Sequence, residues 1–166
     1  MSEFVNTVEV MGDDALTDAI IQRTLSGSFN DDQVTKIRGN AFRWCESLTS
    51  VNFRAAVTCE GEAFAWCSKL ATVDFSSIEN LDGGAFGWCY ALKTLIIRNT
   101  ASVCTLSATM GSTIIHTGAG HIYVPSALVD AYKEATNWST YASKIRALED
   151  YTVDGTITGD LDETKI

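Results

Sequence analysis

Three segments of the chain repeat one pattern of residues at a fixed step of 22. Each begins with a glycine, carries Ala-Phe two positions later and then Trp-Cys, and places a leucine three residues after the cysteine. The segments are residues 39–53, 61–75 and 83–97. A fixed period of about 20 to 50 residues is typical of stacked architectures, in which each unit buries its apolar side against its neighbours. The pattern therefore predicts a solenoid.

The composition of the 166-residue chain fits a globular protein with a buried core, because 46% of its residues are apolar and 20% are charged. A net charge of −9 and a pI near 4.5 disfavour nucleic acid and anionic membranes as partners, since phosphates are contacted by clustered Lys and Arg. No apolar stretch approaches the roughly 18 to 20 residues that span a bilayer, so we expect no membrane insertion. The acidic N-terminal segment also lacks the pattern of a secretory signal.

Each repeat unit predicts a strand, a helical turn and a second extended stretch. Apolar and polar residues alternate over residues 51–53, as in a short strand with its apolar side inward. Phe42, Cys45 and Leu48 follow a helical spacing, and the preceding glycine suits a turn with positive φ. Residues 34–37 supply the second extended stretch. The predicted fold is an α/β repeat of 22-residue coils with parallel short strands and helical turns.

Four segments are expected along the chain. An N-terminal cap, residues 1–33, is predicted to contain an amphipathic helix with acidic residues at its start. Three regular coils and one degenerate coil follow in residues 34–124. The degenerate coil carries an insertion of five residues, because Ile122 resumes the strand pattern 27 residues after Leu95. The remaining segments are a helical C-terminal cap, residues 125–150, and a tail or hairpin, residues 151–166.

Two helices are predicted in the C-terminal cap. Pro125 is expected to start the first, and Asn137 is expected to cap the second. The apolar side of the first helix is predicted to contain Leu128, Val129 and Tyr132. That of the second is predicted to contain Trp138, Tyr141, Ile145 and Leu148.

The cysteines mostly follow the repeat. Cys45, Cys67 and Cys89 share one position, and Cys59 stands where other units have Ile or Leu. A cysteine that replaces Ile or Leu behaves as a small hydrophobic residue, so buried free thiols are the favoured interpretation. A disulfide or a thiolate metal site stays open, because stacking brings equivalent residues close together, although the paired short spacings of zinc sites are missing.

The repeat, Val-x-x-Ile-x-Gly-x-Ala-Phe-x-x-Cys-x-x-Leu-x-x-Val-x-Phe, resembles the BspA-type leucine-rich repeats. Residues 122–145, with their Tyr-Val-Pro start, also resemble the helical ending of those proteins. The resemblance covers residues 34–148 and implies a right-handed solenoid, so that with the helix predicted from the N-terminal residues we expect helical caps at both ends. It also implies proteins of bacteria and phages that act by binding, adhesion or assembly, with no catalytic residues to carry over. A short chain without a signal looks more like the compact, phage-encoded versions.

One position departs from the resemblance. The residue before the cysteine is commonly small or polar in that family, whereas here it is Trp44, Trp66 and Trp88. We call these three residues the tryptophan ladder. An exposed aromatic stripe of this kind binds sugars or anchors a protein interface. The alternative is that the indoles only pack over the turns of neighbouring coils.

The outward positions of the strands form a second candidate surface, because solenoids generally bind through extended faces. The alternative is a solvated sheet face, since these residues show no concentrated charge. The positions are Ser50, Thr72 and Thr94; Asn52, Asp74 and Ile96; and Arg54, Ser76 and Arg98.

Residues that could support catalysis are few. His116 and His121 lie in the glycine-rich insertion, and no Ser or Cys has a motif that positions a base. The acids in residues 160–163 lack the pattern of a calcium loop, and residues 118–120 lack the lysine or helix of a phosphate site. We therefore expect no enzyme, no cofactor and no metal.

The expected function is a binding or adhesion module of a phage virion or a bacterial surface, with a protein or glycan as its ligand. The alternative is a structural subunit that uses the same surfaces to form a homo-oligomer or to dock on other virion proteins.

Overall fold

The structure, a computed structural model, describes residues 26–151. The predicted helix near the N-terminus and the predicted hairpin in the tail therefore lie outside the described residues. Stacked coils make up the described part, with a strand on two sides of each regular coil and a turn on the third. Its strands are β1 (Gly27–Asp31), β2 (Lys36–Ile37), β3 (Leu48–Phe53), β4 (Thr58–Cys59), β5 (Thr72–Phe75), β6 (Asn80–Leu81), β7 (Thr94–Ile97), β8 (Thr105–Leu106), β9 (His121–Val124) and β10 (Ile145–Ala147).

The long sheet is parallel and, within residues 26–151, has the strand order β1-β3-β5-β7-β9-β10. Val51 lies opposite Val73, and Val73 lies opposite Leu95, so the step of 22 residues is the step from strand to strand. Leu95 lies opposite Ile122, which confirms the insertion of five residues in the fourth coil. The predicted parallel strands are thus confirmed in their register.

The short sheet stacks the second extended stretch of each coil in the order β2-β4-β6-β8. Ile37 pairs with Cys59, and Cys59 pairs with Leu81, as the repeat predicts. Leu106 continues this row in the fourth coil. These side chains are all buried, so the two sheets close over one apolar interior.

The third side of each coil is a tight turn, shorter than a regular helix. In the third coil it is the 3-10 helix Gly83–Phe86, where the Asp82 side chain accepts a hydrogen bond from the Gly84 N–H at 2.8 Å. Backbone hydrogen bonds join successive turns, such as that from the Phe42 N–H to the Ala63 carbonyl at 2.7 Å. These bonds satisfy polar groups that stacking would otherwise bury unpaired.

The prediction that the glycine at the start of each turn supplies a positive φ is wrong. Positive φ angles occur instead at Asn40, at Glu62 and at the ladder tryptophans. A Cβ atom on Gly83 would lie 1.9 Å from the carbonyl oxygen of Ala108 in the next coil. Close approach of the next turn therefore requires the glycine at Gly83, whereas an added Cβ on Gly61 would make only an ordinary contact, at 3.4 Å.

Stacked phenylalanines fill the interior. The ring centroids of Phe42 and Phe64 are 5.0 Å apart, and those of Phe64 and Phe86 are 5.7 Å apart. Each of these side chains is buried, and its removal from water stabilises the folded state by about 1.5–3 kcal/mol. Because each ring contacts rings of neighbouring coils, the core is continuous along the solenoid.

The five cysteines, all within residues 26–151, are buried and form no disulfide bond with one another, as the favoured interpretation of the sequence predicts. Two of their thiols also bridge coils. The Cys67 Sγ donates to the Phe42 carbonyl at 3.1 Å, and the Cys89 Sγ donates to the Phe64 carbonyl at 3.0 Å. The shared position therefore combines apolar packing with a weak hydrogen bond to the preceding coil.

Strand β1 extends the long sheet into the segment that the sequence assigns to the N-terminal cap. Phe29 lies opposite Val51, and Asp31 lies opposite Phe53. The Phe29 ring packs against Phe42, with centroids 5.4 Å apart. The 22-residue step from Phe29 to Val51 is the signal that identifies this strand in the sequence.

The C-terminal cap differs from its prediction in the second helix. The first is present as the 3-10 turn Ser126–Leu128 followed by the α-helix Val129–Glu134. The second is the 3-10 helix Trp138–Lys144, and it ends before Ile145, which begins β10. The Asn137 side chain makes no capping hydrogen bond to this helix, and its Nδ2 donates to the Leu106 carbonyl at 2.7 Å. No helix in residues 26–151 has the length and apolar composition needed to cross a membrane.

Candidate binding surfaces

The tryptophan ladder is a continuous aromatic stack. The ring centroids of Trp44 and Trp66 are 4.7 Å apart with an interplanar angle of 8°, and those of Trp66 and Trp88 are 4.9 Å apart at 17°. These separations match the spacing of about 4.7–4.9 Å between neighbouring strands. The coil repeat therefore sets the stacking distance.

The ladder is most exposed at its C-terminal end. Trp44 and Trp66 are half-buried, whereas Trp88 is 45% exposed and the adjacent Tyr90 is 54% exposed. The Tyr90 ring meets Trp88 edge to face, with centroids 6.1 Å apart. Trp88 and Tyr90 form the ladder end, an aromatic pair open to solvent.

The backbone of the ladder is unusual for tryptophan. Trp44, Trp66 and Trp88 have φ angles of 67°, 65° and 63°. A positive φ places Cβ close to the following carbonyl and costs an L-residue roughly 1–2 kcal/mol, so Gly or Asn is the usual occupant. The local backbone therefore disfavours the residue type that the repeat retains three times.

The flank of the ladder carries paired charges. The Arg43 Nη1 lies 2.6 Å from a carboxylate oxygen of Glu62 and also donates to the Asn40 Oδ1 at 3.1 Å. Exposed ion pairs of this kind contribute only about 0–1 kcal/mol to the stability of the folded protein. The aromatic side chains therefore distinguish this edge more than its charges do.

The predicted outward positions of the long sheet differ in exposure. Arg54 is exposed, while the Ser and Thr positions and Asn52 are half-buried. The expectation that Ile96 faces solvent is wrong, because Ile96 is 1% exposed and packs in a cluster with Tyr151. Tyr123 and Leu148 border that cluster, so the C-terminal segment covers this end of the sheet face. The half-buried Ser and Thr positions are Ser50, Thr72, Thr94 and Ser76.

Asp74 and Arg98 form a largely buried ion pair on this face. The Arg98 Nη2 lies 2.7 Å from the Asp74 Oδ2, and the Arg98 Nε donates to the Asp74 Oδ1 at 2.9 Å. The two side chains are 11% and 10% exposed. A bidentate pair in this environment holds both groups in place and cancels their charges locally.

A groove with a cavity volume of about 270 Å³ lies over the sheet beside this pair. Its walls come from residues of β1, β3, β5 and β7, from Arg98 just after β7, and from Tyr151. The structure thus brings six of the nine predicted sheet-face residues together, whereas Arg54, Ser76 and Thr94 lie outside the groove. The lining side chains are Ser28, Asn30, Ser50, Asn52, Thr72, Asp74, Ile96, Arg98 and Tyr151, with Val51 beneath them.

A second cleft, of about 260 Å³, lies over the short sheet, and its acidic side chains are occupied in structural contacts. Glu60 accepts a hydrogen bond from the Gly39 N–H at 3.0 Å and pairs with the Lys36 Nζ at 2.6 Å. The lysine contact and then the backbone hydrogen bond lower the pKa of Glu60. Asp82 accepts the Gly84 N–H bond described above, so both carboxylates hold turns together.

The histidines do not form a chemical centre. The His116 Nδ1 lies 3.2 Å from the Tyr141 hydroxyl. His121 is the first residue of β9, whereas its position in the glycine-rich insertion had suggested a loop. Burial and then the nearby Arg146 lower the pKa of His121. Among residues 26–151, no group of three or more His, Cys, Asp and Glu side chains is arranged to hold a metal ion.

Comparison with known families matches residues 5–120 to the BspA type leucine-rich repeat region, in six copies. The match covers most of the chain, and it starts within the segment that the sequence assigns to the N-terminal cap. No curated protein matches the chain.

Proposed function

Because the chain belongs to the BspA-type leucine-rich repeat family, whose repeats generally mediate protein interactions without catalysis, we propose that it is a non-enzymatic recognition module for a protein partner. The binding surface in this proposal is the ladder end. The observation that carries it is exposure: among residues 26–151, Trp88 and Tyr90 are the exposed large hydrophobic side chains. Trp and Tyr are enriched among the residues that contribute most to protein interfaces.

The backbone conformation supports a role for the tryptophans beyond folding. Asn or Gly would satisfy a positive φ at lower cost than Trp. Stacking between Trp44, Trp66 and Trp88 offsets part of that cost, because each aromatic pair contributes about 0.5–1.5 kcal/mol. Stacking alone does not account for the exposed half of Trp88, which contacts solvent and not another coil.

The stacking geometry favours a protein over a glycan as the ligand of the ladder. A sugar ring binds an aromatic side chain through the flat face of the ring. Both faces of Trp66 are covered by its neighbours, and the covered faces of Trp44 and Trp88 are those directed at Trp66. The ladder therefore presents edges along its length and cannot offer a row of flat platforms to a sugar chain.

The proposed context is a phage particle or a bacterial surface, and this part of the proposal rests on the family resemblance of the repeat and of residues 122–145. Gene neighbourhood tests it directly. Capsid or tail genes beside this gene would support a virion component, and a neighbourhood of metabolic genes would contradict it.

A structural subunit is the second candidate function. The same exposed aromatic pair would then join copies of the chain around a symmetry axis, since one apolar patch can pair with itself in a dimer. Light scattering separates the candidates: a monomer at micromolar concentration contradicts self-assembly, and a closed oligomer that dissociates on Trp88→Ser supports it.

Photo-crosslinking tests which partner meets the ladder end. Tyr90 is replaced by benzoylphenylalanine in the full-length chain, which is then irradiated with phage or bacterial surface extracts. We expect a crosslinked band that protease digestion removes and mass spectrometry identifies as one other protein. The control carries the same probe at Thr140, an exposed residue of the C-terminal cap. Equal crosslinking at both positions, or none at position 90, contradicts the proposal, and a crosslinked homodimer favours the structural subunit.

A further inference from the structure

We propose that the groove over the long sheet is a separate site for a neutral carbohydrate. The site is formed by Asn52, Thr72, Ser50 and the paired side chains of Asp74 and Arg98. The groove lies on the outward side of the long sheet, whereas the ladder residues lie in the turns that precede β3, β5 and β7. The inference does not depend on the protein partner proposed above.

The groove contains an acceptor without a donor. The Asn52 Oδ1 is buried, and no group in residues 26–151 donates a hydrogen bond to it. An unsatisfied buried acceptor costs about as much as a lost hydrogen bond, so polar atoms of this kind ordinarily have partners. Asn52 as a whole is half-buried and lines the groove, so a rotation of its amide would bring this acceptor to the groove surface, where a ligand hydroxyl would supply the missing donor.

The neighbouring groups suit a ligand with several hydroxyls. Ser50 donates to the Ser28 hydroxyl at 2.6 Å, and the Thr72 hydroxyl lines the same groove. Hydroxyl and amide groups can both donate and accept, which matches the mixed character of sugar hydroxyls. Parallel pairing repeats these groups at about 4.8 Å from strand to strand, so the groove presents a row of similar contacts.

The charges of the groove disfavour an ionic ligand. Asp74 and Arg98 are the charged residues that line it, and their bidentate pair neutralises both. A sulfate, carboxylate or phosphate would have to compete with the Asp74 carboxylate for Arg98. A neutral sugar meets no such competition, and the remaining lone pairs of Asp74 can accept its hydroxyls.

The walls and the backbone favour a sugar over a peptide. Tyr151 and the buried Ile96 supply an apolar side, with the Tyr151 ring packed edge-on against Tyr123 at 5.0 Å. Extended peptides usually join a sheet at an open edge through main-chain hydrogen bonds, whereas β3 and β5 pair on both sides. A volume of about 270 Å³ is at the small end for ligand sites, which suits a sugar unit.

The test uses the full-length chain on an array of neutral oligosaccharides and their sulfated and sialylated counterparts. We expect binding to a subset of the neutral glycans and weaker binding to their charged counterparts. Asn52→Leu and Thr72→Val should each weaken that binding about three- to tenfold, the usual effect of one lost neutral hydrogen bond. The matched control is Asn80→Leu, which makes the same change on the short sheet and should leave binding unchanged.

Circular dichroism confirms that each variant is folded before it is compared. Weaker binding with either groove variant, and not with Asn80→Leu, supports the site. The inference is overturned by failure of the wild-type chain to bind any neutral glycan, by a preference for charged glycans, or by unchanged binding in both groove variants.

Discussion

Each ladder tryptophan combines a favourable side-chain contact with an unfavourable backbone conformation. The repeat predicts that the indoles stack, because their spacing of 22 residues equals one coil. It does not predict their positive φ angles, which depend on how the turn joins the following strand. The exposure of Trp88 also depends on the fourth coil: Met110 and Ile115, which follow Trp88 by 22 and 27 residues, are both buried and neither continues the stack.

Two ladder variants separate the contribution of stacking to stability from the cost of the strained backbone. Trp44→Asn and Trp66→Asn relieve nearly the same backbone strain, because their φ angles are 67° and 65°. Trp44 takes part in one stacked pair and Trp66 in two. We expect Trp66→Asn to lower the free energy of unfolding by about 0.5–1.5 kcal/mol more than Trp44→Asn does. Urea unfolding measures the difference, and equal losses would show that stacking contributes nothing.

At the scale of the element, the turn of the third coil depends on the absence of a side chain at Gly83. Gly83→Ala would place Cβ 1.9 Å from the Ala108 carbonyl oxygen, so the two coils would have to separate. We expect a loss of about 1–3 kcal/mol or more in the free energy of unfolding. Gly111→Ala is the control, because nothing lies within 4 Å of its added Cβ, and it should be nearly neutral. Similar thermal midpoints for the two variants would contradict the close-packing explanation.

The elements that the sequence predicts well are those that repeat. Equivalent residues in three coils define the strands and their register, and each coil supports the interpretation of the next. The second cap helix has no such repetition. The spacing of Trp138, Tyr141 and Ile145 is helical, yet Ile145 pairs with Ile122 and extends the long sheet. Pairing with an open strand edge therefore overrides the local helical pattern, and a single sequence does not reveal that an edge is available.

At the scale of the whole molecule, the solenoid and the C-terminal cap are joined by hydrogen bonds from buried aromatic residues. The Tyr132 hydroxyl accepts a bond from the Cys104 N–H at 2.9 Å, and the Trp138 Nε1 donates to the Cys104 carbonyl at 2.6 Å. The Tyr141 hydroxyl accepts a bond from the Met110 N–H. The cap thus satisfies backbone groups of the last coil, which has no further coil to pair with. The C-terminal end of the solenoid is therefore closed by the cap, through contacts that no single repeat contains.

The same junction makes the stability of the protein sensitive to alkaline pH. Burial raises the pKa of the Cys104 thiol from 9.0 to about 12 and that of Tyr132 from 10.0 to about 12. Between about pH 9 and 12 the unfolded chain therefore loses protons that the folded chain retains, so stability falls as pH rises. The slope approaches about 1.4 kcal/mol per pH unit for each group. We expect the urea midpoint to decrease from pH 8 to 11, and to decrease less steeply in Cys104→Ala than in the exposed control Ser102→Ala. Identical slopes in the two variants would show that Cys104 does not lose its proton on unfolding in this range, and would contradict the burial of its thiol at the junction.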